Sequence, residues 1–183
     1  MNKVFGHFKT ITAHKLLVMK ECFRIGLYKQ GLLHDMSKYG PAEFLEGCKY
    51  YQGTESPHHK ERAEKGYSAA WLHHKGRNKH HFEYWIDYSL DNNRGMEGTK
   101  MPPNYVAEMM MDRIAASKIY NKGNYNIHMP LQYYERGKHV YMIHPETRAL
   151  LEYLLHLLDE QGEEVMFDYI RKNLVGKKEY PKL

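Results

Sequence analysis

The stretch from Phe8 to Lys29, FKTITAHKLLVMKECFRIGLYK, sets the class of the fold. Phe8, Ile11, Lys15 (through its methylene stem), Val18, Cys22 and Ile25 recur at steps of three and four, which draws one stripe along an α-helix. Gly31 allows a break. A second helix is expected from about Leu32 to Gly40-Pro41, because proline disfavours a helical residue before it. Pro41 can open a third helix through Phe44, Leu45 and Tyr50. Ser56-Pro57 reads as an N-cap followed by proline at the first helical position, and that helix is expected to reach His74 through Ala63, Tyr67, Ala70 and Trp71. Gly76 to Asn78 predicts a kink, after which Phe82, Trp85 and Ile86 continue an apolar face.

Residues 91–103 (DNNRGMEGTKMPP) read as a polar loop rich in glycine and proline, near the site and not a domain linker. A further helix spans about Asn104 to Tyr120. Residues 121–144 are ambiguous, with a short strand expected at Val140 to Ile143. Two helices close the chain, Pro145 to Glu160 and Glu163 to Leu174, with Gly176 just past the end. The pattern predicts an all-α fold in a single domain over residues 1–183, with helices at about 145–175 packing on a core at about 10–120.

Composition narrows the class of function. The 183 residues are 42% hydrophobic and 27% charged, which excludes a disordered chain, a collagen-like repeat and a membrane barrel. No apolar run approaches the roughly 20 residues of a membrane span, and MNKVFGHFKT lacks the apolar centre of a secretory signal. Cys22 and Cys48 are too few for a disulfide framework, so a reducing cytoplasm is expected. The net charge of +5 suggests an anionic partner without identifying it, and neither a membrane nor nucleic acid is the expected one.

Histidine is the sharper signal. Of 13 histidines, nine (His7, His14, His34, His58, His59, His73, His74, His80 and His81) lie in the first 81 residues. His14 sits beside the apolar stripe of the first helix, and His34-Asp35 follows Leu32-Leu33 directly. His74 and His81 are seven apart and share a face if the helix persists. Asp112 is in line with Tyr105, Met109, Ala116 and Ile119. Each has a structural account when taken singly: a hydrogen-bonded core imidazole, an aspartate paired with arginine, a solvated basic face over HHKGRNKHH (73–81). A carboxylate on an apolar stripe nevertheless costs several kcal/mol unless it is paired or binds a cation. Five or more such groups on separate helices point to a metal, and imidazole with carboxylate suits Fe, Mn, Zn, Ni or Co.

The ordered set His14, His34-Asp35, His74, His80/His81 and Asp112 resembles the HD-domain superfamily of metal-dependent phosphohydrolases. LLHDMSK (32–38) is similar to the HD-[IL]-G-K motif of the HD-GYP branch, with Met36-Ser37 in place of the hydrophobic-glycine pair and no GYP sequence. The chain also looks like a set of bacterial and phage proteins carrying HD-x-SK, NxHH and Met-x-x-Asp-Arg motifs. The resemblance implies a helical domain with one or two divalent transition metals. His14, His34, Asp35 and Asp112 would form one site, and Asp35, as bridging carboxylate, would join His74, His80 and His81 in a second. The spacing favours His74 over His73 and leaves open which of His80 and His81 ligates directly. The implied activity is hydrolysis of a small phosphorylated substrate such as a nucleotide by metal-activated water, with Asp35 and Lys38 as catalytic residues. Lys38, Arg77 and Arg113 would contact phosphate, although Lys38 also reads as a surface lysine at a helix end and Arg113 as a partner that orients Asp112. Glu43 and Tyr84 are further candidates to support the ligands. Three other readings compete: a di-iron oxygenase on the same fold, a His-Asn-His nuclease, which needs two strands packed on a helix and for which the sequence carries no strand signal, and a non-catalytic basic helical binding module.

Overall fold

Asn2 accepts a hydrogen bond from the Val4 amide and starts α1, Lys3–Arg24. In this computed structural model, residues 2–91, 93–121 and 123–183 are described. Asn92, in the stretch read as a loop, Lys122, in the ambiguous segment, and Met1 lie outside the described residues. Ile11, Val18, Cys22 and Ile25 are buried as the stripe predicts. Phe8 is 46% exposed and leans on Tyr39 and Phe44 instead of entering the core. Lys15 turns its ammonium to the carbonyls of Leu32 (2.6 Å) and His34 (3.1 Å). That contact satisfies the end of α2, Tyr28–Leu33.

The second helix therefore ends where it was expected to start. Asp35 adopts the left-handed conformation (φ 54°), and a short 3-10 turn, Met36–Tyr39, follows. Next comes α3, Pro41–Tyr50, opened by its proline. The single helix expected from Pro57 to His74 is two: α4, Pro57–Lys65, and α5, Ala69–Lys75. Gly66 at φ 81° ends α4, and Ser68 caps α5 through the Trp71 amide (3.0 Å). Ser56 itself makes no side-chain cap bond.

The helical continuation expected through Phe82 and Ile86 is also corrected. A 3-10 turn, Phe82–Trp85, leads into β1, Ile86–Tyr88, which pairs antiparallel with β2, Met96–Gly98, in the register Ile86 with Gly98 and Tyr88 with Met96. The stretch read as a polar loop thus supplies half a hairpin, and its Pro102 end borders a cleft beside His34 and His80. Then follow α6, Pro103–Asn121, α7, Met129–Gly137, and α8, Pro145–Asn173, kinked at Gly162 into the two closing helices expected. Val140 to Ile143 forms no strand. Val140 ends a 3-10 turn, and the Tyr141 carbonyl accepts from Arg148 (2.7 Å) in place of a strand partner.

The fold is all-α apart from this hairpin. Helix α6 runs through its middle, with Val106, Met109, Met110, Met111, Ile114 and Ala115 all buried. One core cluster joins Val18 and Cys22 of α1 to α6 and to Leu150, Leu154, Leu158, Met166 and Ile170 of α8. No helix among the described residues is long and apolar enough to cross a membrane. Cys22 and Cys48 are buried free thiols.

Candidate metal centre

Asp35 stands at the centre of the site because its backbone is turned left-handed there. Such a conformation in a residue other than glycine costs energy that the surroundings must offset, and it is often seen where function demands it. The carboxylate is 1% exposed; Oδ1 has no hydrogen bond, and Oδ2 lies 2.6 Å from the Lys38 ammonium. Oδ2 lies 3.4 Å from His34 Nε2 and 3.7 Å from His14 Nε2. Oδ1 lies 3.3 Å from His74 Nε2 and 3.4 Å from His80 Nε2.

Asp112, on α6, completes the first group. Its Oδ1 is 2.9 Å from His14 Nε2 and 3.6 Å from His34 Nε2. His81 completes the second. In each set, His14-His34-Asp35-Asp112 and Asp35-His74-His80-His81, one ligand atom per residue lies within 4.8 Å of all the others. All seven predicted ligands are brought together, and Asp35 belongs to both groups, one oxygen facing each.

The buried atoms that lack partners make the chemical case. The Nε2 atoms of His34, His74, His80 and His81 and Asp35 Oδ1 are buried without a hydrogen bond, while His14 Nε2 has only Asp112 Oδ1 at 2.9 Å and Asp35 Oδ2 only the Lys38 ammonium at 2.6 Å. Such groups cost about 1–3 kcal/mol each when unsatisfied. All seven converge on two points, and a cation at each point would satisfy them together.

The outer ring nitrogens are engaged elsewhere, which fixes how the imidazoles present themselves. His34 Nδ1 donates to Glu108 Oε1 (2.9 Å), and His80 Nδ1 lies 3.2 Å from the same oxygen. His74 Nδ1 donates to Glu43 Oε2 (2.8 Å), while His73 Nδ1 takes Glu43 Oε1 (2.6 Å) and stays outside the centre. With Nδ1–H committed to a carboxylate, Nε2 keeps its lone pair for a metal. Ser37 and Asn78 brace this layer: Asn78 Nδ2 donates to the His74 carbonyl (2.8 Å) and to Ser37 Oγ (2.9 Å).

Electrostatics agree with a site built for positive charge. Burial pushes the Asp35 carboxyl up, but His34, Lys38 and His74 outweigh it and hold its pKa well below the usual range. Burial likewise raises Asp112, and hydrogen bonds from His14 and His34, with the charges of His14 and His80, reverse that. For Glu108, the bonds from His34 and His80 overcome burial and bring it down to about 2. These carboxylates, Asp35 foremost, overcome burial at His34 and raise its pKa well above normal. Burial, reinforced by the charges of His80 and His74, takes the His81 pKa well below normal.

The three expected phosphate contacts point in three directions. Lys38 Nζ is 2.6 Å from Asp35 Oδ2 and borders a cavity of about 40 Å³ with His58 and Tyr120. Arg77 is exposed at the rim of the cleft on the far side of His34 and His80. Arg113 makes no ion pair with Asp112 among the described residues. Its guanidinium lies 5.8 Å over the Tyr134 ring. Of the two supporting candidates, Glu43 binds His74, while Tyr84 lies against Trp85 and Lys79. Glu108 has no place in the sequence reading, although its position four residues before Asp112 puts both carboxylates on one face of α6.

Fold and site together define a helical protein with a buried histidine–carboxylate centre able to hold metal. The chain belongs to a family of unknown function (DUF5662), which matches residues 3–157 and so includes every ligand candidate. No curated protein and no solved structure matches it.

Proposed function

We propose that the chain is a metal-dependent phosphohydrolase of the HD type, acting on a small phosphorylated substrate such as a nucleotide. One observation carries this reading: the two oxygens of a single buried carboxylate, Asp35, face two separate sets of buried ligand atoms. That is the arrangement a pair of divalent transition metals (Fe, Mn, Zn, Ni or Co) requires from a bridging ligand. His14, His34, Asp35 and Asp112 would hold one ion, and Asp35, His74, His80 and His81 the other. Ions bound there supply Lewis acidity towards water and towards a phosphoryl oxygen.

The chain's own groups do the rest. Lys38 stays an ammonium, because Asp35 and Asp112 outweigh the effect of burial on its charge. It is therefore a donor and a counter-charge for a phosphoryl oxygen, and cannot serve as a base. The adjoining cavity, about 40 Å³, admits about three waters. It would accept the phosphoryl end of a substrate and leave the remainder outside. Glu43 and Glu108 keep His74, His34 and His80 in register.

The test is the metal content of protein purified without a histidine tag, wild type beside Asp35→Asn, followed by a phosphatase screen over nucleotides. One to two equivalents of transition metal that vanish in the variant, with phosphate release that vanishes alongside, are expected. Iron with a visible absorption band and no phosphate release would move the reading to oxygen chemistry on the same ligands. No metal in either protein after reconstitution would overturn it.

A further inference from the structure

Behind the His34–His80 layer lies a second, larger space. It is a half-open cleft of about 390 Å³ between α2, α6 and the turn after α5. The imidazoles show it their Nδ1 side, on Glu108, whereas their Nε2 atoms aim the other way, at Asp35. The cleft is therefore separate from the Lys38 cavity. Its rim carries Lys29, Arg77, Lys79 and Lys177, all exposed.

What sets these four cations apart from other lysines unpaired among the described residues, such as Lys9, Lys20 and Lys60, is that they line one concavity, whereas several other lysines are neutralised by carboxylates. Lys38 is paired with Asp35, Lys65 with Glu46 and Glu61, Lys100 with Glu146, and Lys118 with Glu21 and Glu163. Among the described residues, no carboxylate lies within ion-pair distance of Lys29, Arg77, Lys79 or Lys177. Glu108 is the cleft's one acidic group, and its oxygens are already taken: Oε1 by His34 and His80, Oε2 by Gln30 Nε2 (3.0 Å). The rim is thus positive without internal compensation. Unlike a scattered basic surface, it converges on a concavity, where such charges concentrate an anion.

The chain also brings the last cation in deliberately. Asn104 Oδ1 accepts from the Gly176 amide (3.0 Å), which pins the segment after α8 to the start of α6 and sets Lys177 at the cleft. This segment lies beyond residues 3–157, which the family covers.

We infer that this cleft is a binding site for a small phosphate-bearing anion, held by Lys29, Arg77, Lys79 and Lys177 and distinct from the cavity beside Lys38. Four converging cations fit a diphosphate or triphosphate group better than a monoanion. The volume accommodates more than a lone phosphate, so either a nucleotide or a free polyphosphate fits. The inference does not depend on the centre being a phosphohydrolase.

The experiment is calorimetric titration of the protein as purified with inorganic pyrophosphate and, separately, with ADP. Four proteins are compared: wild type, the double variant Arg77→Glu/Lys79→Glu, Lys177→Ala and Lys38→Ala. Arg77, Lys79 and Lys177 are exposed, so these changes leave the fold intact, as a thermal melt would check. Saturable 1:1 binding that weakens about ten-fold or more in the double variant, weakens in Lys177→Ala and persists in Lys38→Ala is expected. Tighter ADP than pyrophosphate binding would assign the ligand as a nucleotide, and equal binding as the polyphosphate group alone. Binding lost in Lys38→Ala but kept in the double variant would place the anion at the Lys38 cavity and overturn the inference. No saturable binding to wild type, or binding of an oligonucleotide only, would overturn it as well.

Discussion

Glu108 accepts the Nδ1–H of His34 at 2.9 Å, and the same oxygen lies 3.2 Å from His80 Nδ1. Because His34 belongs to one ligand group and His80 to the other, a single carboxylate supports both halves of the centre. Removing its charge frees one imidazole of each group to rotate and lowers the basicity of both. Glu108→Gln should therefore weaken metal binding at both sites, by about 10–100-fold. Competition against a coloured chelator measures this. Loss at one site alone would show that Glu108 serves only that side.

Glu43 supports one side only. It holds His74, from the group that lacks His14, His34 and Asp112. Glu43→Gln is expected to lower the metal content from two equivalents towards one, and Asp112→Asn to do the same from the opposite group. The double variant should retain little metal. Elemental analysis after extensive dialysis is the measurement, and equal loss of both ions in Glu43→Gln would contradict the division into two groups.

The legible parts of this protein are those where one helix carries its own period. The stripe Ile11, Val18, Cys22, Ile25 is buried as spaced, α6 begins within one residue of its expected start, and the break between the closing helices falls at Gly162. The ligands were legible for a similar reason: an aspartate or histidine where apolar atoms belong stands out. Where the structure departs from the reading, tertiary contacts decided. His81 reaches His74 (ring centroids 4.8 Å apart) because the chain turns at Gly76 to Asn78 and Asn78 fastens that turn to Ser37. A persisting helix was not required. The left-handed turn at Asp35, set after a helix end capped from α1 by Lys15, leaves no mark in local periodicity. Glu108 was hidden because α6 is buried nearly all round, so no face of it looked polar enough to question.

Gly98 illustrates a constraint that sequence does not reveal. A Cβ there would stand 2.6 Å from the His144 amide nitrogen and 2.7 Å from the Ile143 carbonyl carbon. Both are backbone atoms that cannot swing aside, so the β hairpin and the start of α8 would have to separate. Gly98→Ala should destabilise the fold by about 2–3 kcal/mol, the upper part of the range for overpacking. Met96→Ala, at an exposed position of the same strand, should change stability by less than about 0.5 kcal/mol. Urea denaturation compares the two, and equal effects would remove the steric argument.

His7 gives a prediction in pH. Its ring is 6% exposed and packs against Phe44 and Tyr51, with Gly47 leaving the room it needs. Burial, helped by the charge of Lys38, lowers its pKa from 6.5 to about 4. The folded chain thus keeps His7 neutral at pH values where the unfolded chain already binds a proton. Protonation of the unfolded state then favours unfolding as pH falls from about 6.5 to about 4, and contributes nothing above that window. The contribution amounts to at most about 3 kcal/mol at the acid end. In His7→Gln, which packs less well but cannot titrate, stability at pH 7 should fall while its decline between pH 6.5 and 4 becomes shallower than in wild type. Urea midpoints taken at half-unit pH steps would show this, and parallel curves for the two proteins would mean that His7 is not the group that senses acid.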